Sequence, residues 1–152
     1  MKLAEALILR SDSQKKFDQL RQRLLINAKV QEGDKPAEDP SKLLKEMEEV
    51  SKELVTFISR INATNSSTQL TDGMTIADAI AHRDVLRMKH SLYRDLAHTA
   101  VVTQDRYSKS EVKFRSTVDV AGLQKIADEL AKEHRELDSK IQEANWKVEL
   151  KE

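Results

Sequence analysis

The sequence predicts an all-α fold: four long antiparallel helices, arranged as a bundle or as paired helical hairpins, with a small extended or β element around residues 103–118. Three observations predict it. Charged residues make up 34% of the chain and aromatics 4%, with only 3 Gly and 2 Pro; that balance favours long helices over a sandwich or barrel. Apolar residues recur at 3/4 spacing through four stretches of about 25 residues each, roughly 35–40 Å of helix. Polar, breaker-rich segments separate those stretches.

Residues 2–28 read as the first helix. Leu3, Ala6, Leu7, Phe17, Leu20 and Leu24 share one face, interrupted by Arg10, Ser13 and Asn27. Residues 29–39 break the pattern with Gly33 and Pro36. Asp39 then offers an N-cap oxygen, and Pro40 fits the first helical position because its missing N–H has no helical partner there. The second helix runs to about Asn65 along a seam of Leu43, Met47, Val50, Leu54, Phe57 and Ile61. Ser66 to Met74 form a polar connection with Asp72-Gly73 as its turn signal. Thr75 followed by Asp78 resembles a capping box and opens a third helix that extends to about Val102. Its apolar face is Ile76, Ala79, Ile80, Leu86, Tyr93, Leu96 and Ala100, beside a stripe of Arg83, Arg87, His90 and Arg94. Within 103–118 the period changes: Val112, Phe114 and Val118 alternate with polar residues, which is strand spacing. Asp119 caps the fourth helix, whose seam to about Leu150 is Leu123, Ala127, Leu130, His134, Leu137, Ile141, Ala144 and Val148.

At 152 residues and 17.4 kDa the chain is expected to form one helical domain, 1–152. It has 0 Cys, which excludes disulfides, thiolate metal sites and thiol nucleophiles. Lys+Arg and Asp+Glu are 26 each, so the basic excess of a nucleic-acid binder is missing. No stretch approaches the ~20 apolar residues of a membrane span, and the opening residues lack the uncharged core of a secretory signal; a cytoplasmic protein is expected. Charge is nonetheless segregated. Residues 32–53 hold eight acids and four bases, and residues 83–115 hold eight bases and four acids. Complementary packing between helices accounts for that pattern more simply than an acidic partner does.

Residues able to carry chemistry are few. No phosphate-cradling, nucleophile-elbow or zinc-helix motif occurs. None of the four His has the Glu three residues before it that a di-metal bundle requires. His134 lies on a seam with His90 at about its level, and a hydrogen-bonded or rim histidine is the expected role of each. No cofactor is expected, and the composition favours a non-enzymatic role. The notable polar set is Arg10, Asn62, Asn65, Arg83 and Asn145, which an up-down bundle gathers near one end. Polar residues on seams fix register and partner choice; the alternative is a small pocket for an anion or polar ligand. Arg83 is expected at the centre, taking acceptors from the asparagines and charge from Asp84 or Glu5.

Apolar residues beyond the seams widen several helices: Ile8, Leu9, Leu25, Val55, Val85, Met88 and Leu92. A helix apolar on more than one side is usually buried on more than one side, so a homo-oligomer is expected, most simply a dimer.

Several segments are familiar as they stand: Met1-Lys-Leu-Ala-Glu-Ala-Leu7, Asn27-Ala-Lys-Val-Gln-Glu-Gly-Asp-Lys-Pro-Ala-Glu-Asp-Pro40, Arg60-Ile-Asn-Ala-Thr-Asn65 and Arg83-Asp84. Arg106-Tyr-Ser-Lys-Ser-Glu-Val-Lys-Phe114, Val118-Asp-Val-Ala-Gly-Leu-Gln124 and Leu137-Asp-Ser-Lys-Ile-Gln-Glu-Ala-Asn-Trp146 join them. Together they resemble a family of small bacterial proteins of unknown function, often labelled septicolysin. The resemblance covers nearly the whole chain and implies an all-α fold, with no activity that transfers to a particular residue. Three classes of function follow: a self-associating helical protein, a cytolysin-like toxin as the label implies, and a small-ligand-binding bundle.

Overall fold

A computed structural model describes residues 1–102 and 112–152. Among the described residues there are four helices, α1 (Leu3–Ile26), α2 (Pro40–Ser67), α3 (Ile76–Thr99) and α4 (Val120–Lys147), with a two-stranded hairpin, β1 (Gln69–Thr71) and β2 (Met74–Thr75), between α2 and α3. The chain divides into two compact units, one of residues 1–69 with 142–152 and one of residues 70–141.

In the first unit α1 and α2 form an antiparallel hairpin. Their polar contacts show the direction: Ser13 donates to Glu53 at 3.0 Å, Lys16 pairs with Glu46 at 3.0 Å, and Arg23 pairs with Glu38, so the partner number falls as the α1 number rises. The core of the hairpin is Leu20, Leu43, Val50 and Leu54, with Phe17, Leu24 and Met47 packed against it. These residues carry the heptad-like spacing of the sequence. Two of the three interruptions of the α1 stripe, Ser13 and Asn27, are buried, and each is hydrogen-bonded. A buried polar group without a partner would cost about 1–3 kcal/mol.

The helix ends follow local chemistry. Asp39 Oδ1 accepts the Ser41 N–H at 2.9 Å, with Pro40 in the first turn. The linker before it is pinned to the last turn of α1: Asn27 Oδ1 accepts the Glu38 N–H at 3.1 Å while Asn27 Nδ2 donates to Arg23 O at 2.9 Å. Thr75 and Asp78 form the reciprocal box at the start of α3, with Asp78 N–H on Thr75 Oγ1 at 3.1 Å and Thr75 N–H on Asp78 Oδ2 at 3.0 Å. Asp119 Oδ1 accepts the Gly122 N–H at 3.1 Å at the start of α4.

In the second unit Arg83, in the first third of α3, reaches Asp138, late in α4, at 3.0 Å, as antiparallel neighbours do. Ile76, Ala79, Ala97, Ala127, Leu130 and Ile141 are its buried apolar residues.

The β element is found in a place other than the one expected. It is the hairpin before α3, closed by the two-residue Asp72-Gly73 loop with Gly73 at φ +79°; positive φ at such a loop is what glycine permits without a steric cost. Residues 112–118 contain no strand, and the rest of that stretch, 103–111, lies outside the described residues. Alternation makes a strand when one face is buried. Val112 and Phe114 share a parity and are 70% and 81% exposed, so that drive is missing.

Candidate functional site

The densest polar arrangement in the first unit joins the two chain ends to the last turns of α2. Residues 1–3 pair with residues 148–150 as a short antiparallel bridge: Leu3 N–H donates to Val148 O at 2.9 Å and Leu150 N–H to Met1 O at 2.8 Å. Glu149 accepts the N-terminal ammonium at 3.1 Å and Lys2 Nζ at 2.5 Å. Those two cations hold its carboxyl below the usual carboxylate range, the Lys2 hydrogen bond being the larger cause. Lys2 Nζ also donates to Lys147 O, and Glu5 accepts the Lys2 backbone N–H at 2.7 Å, closing the first turn of α1.

The C-terminal segment then docks on α2. Arg60 Nε donates to Lys151 O at 2.9 Å, and Lys151 N–H donates to Thr64 Oγ1 at 3.0 Å. Thr64 is fully buried and gives its own proton to Arg60 O. Lys151 Nζ reaches Ser67 Oγ at 2.5 Å.

The five residues singled out by sequence divide between the units. Arg10, Asn62, Asn65 and Asn145 belong to the first and Arg83 to the second. Arg10 and Asn62 are exposed. Asn145 is buried, and Asn65 is half-buried with an Oδ1 that lacks a hydrogen-bond partner among the described residues. Arg83 is half-buried and partnered as a guanidinium near a seam must be: Nη1 on Asp138 at 3.0 Å and Nη2 on Asp84 at 3.1 Å. Asp84 is one of the two charge partners that the sequence suggests. The described hydrogen bonds of Arg83 go to carboxylates, which compensate the charge as well as the donors.

Sequence reasoning missed Thr64, Arg60, Lys151 and Asp138. Thr64 left a signal: it continues the seam three residues beyond Ile61, and a hydroxyl at a seam position must find partners. Asp138 left a weaker one, as a carboxylate beside seam residue Leu137. His90 and His134 are half-buried in the second unit.

Chemically, this arrangement fastens chain segments. The N-terminal ammonium and Lys2 pair with Glu149, Arg60 and Thr64 hold the backbone of Lys151, and Lys151 Nζ meets the Ser67 hydroxyl. The acceptor left over is Asn65 Oδ1. Among the described residues no group of three or more His, Asp or Glu is placed to hold a metal ion, and no helix is long and apolar enough to cross a membrane. A shallow apolar recess on α1 is lined by Met1, Glu5, Ile8 and Leu9.

The described residues define a mostly helical protein, four helices with a short hairpin between α2 and α3. Residues 10–150 match a family of unknown function, DUF6847, and the chain belongs to that family. It is also similar to a solved structure, the crystal structure of a functionally unknown conserved protein from Corynebacterium diphtheriae, with 49% sequence identity, 99% of each chain covered and a TM-score of 0.94. No curated protein matches the chain. Both the family and this relative are described as being of unknown function, and neither carries the name septicolysin.

Proposed function

We propose that the protein is a non-enzymatic helical protein that acts by self-association. The observation that supports this reading is the exposure of large apolar side chains away from the seams of three helices. Ile8, Leu9 and Leu25 on α1, Val55 on α2, and Val85, Met88 and Leu92 on α3 are between 39% and 69% exposed. Scattered single apolar residues are normal on a surface, but on α3 they recur at helical spacing, and a helix apolar on two sides is usually buried on two sides.

Light scattering on a purified sample at increasing concentration tests the reading. The expected mass is a multiple of 17.4 kDa; a mass of one chain at every concentration rejects it. Leakage of dye from lipid vesicles would instead favour the cytolysin reading.

A second reading, a polar ligand held near the end of α2, is favoured by the unpartnered acceptor of Asn65. Ligand density beside Asn65 in a crystal structure would support it.

A further inference from the structure

We propose that Asp72, in the loop between β1 and β2, is a self-acting modification site: its side-chain carboxyl condenses with the Gly73 backbone nitrogen, and the chain reopens as isoaspartate. This is independent of the self-association reading.

An amide nitrogen is a poor nucleophile, because its lone pair is delocalised into the carbonyl. It reacts with a neighbouring carboxyl only where the side chain and the nitrogen are free to meet. A following glycine removes the steric barrier, since no Cβ crowds the nitrogen. Asp72-Gly73 meets these demands. Both residues are exposed, and a Cβ added at Gly73 would meet nothing within 4 Å. The Asp72 carboxylate has no hydrogen-bond or ion-pair partner among the described residues. The Gly73 N–H lies in the loop, outside the pairing of β1 with β2.

The other described aspartates each lack one of these conditions. Asp78 and Asp119 hold cap bonds to Thr75 and Gly122, and Asp84 and Asp138 hold Arg83. Asp39 precedes Pro40, which has no N–H to lose. Asp12, Asp18, Asp95 and Asp128 lie inside helices, where the next N–H is committed to a carbonyl one turn back. Asp34 precedes Lys35, whose side chain crowds the nitrogen.

In the first step Gly73 N bonds to Cγ of the Asp72 carboxylic acid, and the amide proton leaves with the carboxyl hydroxyl as water. Solvent water then opens the cyclic imide. Attack at Cγ restores aspartate. Attack at the Asp72 main-chain carbonyl carbon breaks its bond to Gly73 N, so the chain runs on through Cβ and Cγ. The net reaction is an isomerisation, with no oxidant and no change of mass. The product has an extra methylene in the backbone and a carboxylate on the Asp72 Cα. A two-residue hairpin loop fits a narrow set of backbone angles. The added atom therefore loosens the pairing of β1 with β2, just ahead of the Thr75 cap of α3.

Purified wild-type protein is held in warm neutral buffer, sampled over weeks and digested. Mass spectrometry with electron-transfer fragmentation, which tells isoaspartate from aspartate, maps the product. The expected result is isoaspartate at residue 72 that rises with time, a minor imide lighter by one water, and faster amide exchange at Met74 in aged protein. Asp72→Glu keeps the charge but needs a larger ring, and should abolish the signal at this position. Asp72→Asn passes through the same imide with release of ammonia, and should reach isoaspartate sooner. Native protein that forms no isoaspartate at residue 72, while urea-unfolded protein does, overturns the proposal, since the folded hairpin then holds the two groups apart. Isoaspartate concentrated at another aspartate overturns the choice of site. Isoaspartate at residue 72 with unchanged exchange at Met74 overturns the effect on the hairpin.

Discussion

Thr64 and Lys151, 87 residues apart in sequence, share one hydrogen bond: the Lys151 backbone N–H donates to Thr64 Oγ1 at 3.0 Å. The same hydroxyl donates to Arg60 O at 2.7 Å, so one fully buried oxygen both closes a turn of α2 and anchors the C-terminal segment. Thr64→Val keeps the shape and removes both bonds. We expect a loss of about 1 kcal/mol in denaturant unfolding, together with faster amide exchange at Lys151. Thr64→Ser keeps the hydroxyl and should leave the exchange rate of Lys151 near that of the wild type. Unchanged exchange in the valine variant would show that the anchor lies elsewhere.

Leu20 is the fully buried member of the α1–α2 core, packed with Leu43, Val50 and Leu54. Leu20→Ala should cost about 2–5 kcal/mol, the range for a truncated leucine in a core that relaxes only partly. Leu25, five residues on and 63% exposed, lies off that face. Leu25→Ala should change stability by less than about 0.5 kcal/mol. Equal effects at the two positions, read from urea midpoints, would reverse the assignment of the faces.

The seam that Leu20 and Leu54 define was legible because period 3.6 and the breakers at Gly33 and Pro36 are local signals. So were the caps at Asp39, Thr75 and Asp119, since a capping oxygen acts within three residues. The hairpin before α3 was half legible. Asp72-Gly73 announced a turn, but Gln69–Thr71 and Met74–Thr75 are too short and too polar to show a period. The alternation of Val112, Phe114 and Val118 makes no strand within 112–118, where Val112 and Phe114 are exposed and Val118 is half-buried. Among polar residues, sequence could name Arg10, Asn62, Asn65, Arg83 and Asn145, several of which interrupt or border the seams. Their partners were not legible, because Thr64 with Lys151 and Arg83 with Asp138 are pairs set by tertiary register, which no local window contains.

Arg83 and Asp138 tie α3 to α4 at 3.0 Å, with the Arg83 side chain 22% exposed and that of Asp138 37% exposed. At that exposure solvent screens part of the attraction. A cycle of Arg83→Met, Asp138→Asn and the double variant should give a coupling of about 0.5–1 kcal/mol. Asp84 also holds Arg83, so Asp138→Asn alone should be milder than Arg83→Met, which leaves two carboxylates without their cation. A coupling of zero would mean that Asp84 is the sufficient partner.

The termini should loosen in acid. The Glu149 carboxyl is held below its ordinary range by Lys2 and the N-terminal ammonium, and Glu38 is held down in the same direction by Arg23. A carboxyl whose folded value is depressed adds stability that is complete above its unfolded value, about 4.3 for Glu. That stability is lost as pH falls through the folded value, because the unfolded chain takes up the proton first. Unfolding midpoints in urea should therefore hold steady from about pH 7 to 5 and decline below about pH 4.5. Glu149→Gln should flatten that decline and lower the midpoint at neutral pH, where the wild-type carboxylate is charged. The Glu149 side chain is 64% exposed, so 1 M salt should shrink the difference between wild type and variant at neutral pH. A Glu149→Gln protein with the same pH profile and the same salt response as the wild type would show that the bridge between residues 1–3 and 148–150 is held by its backbone hydrogen bonds alone.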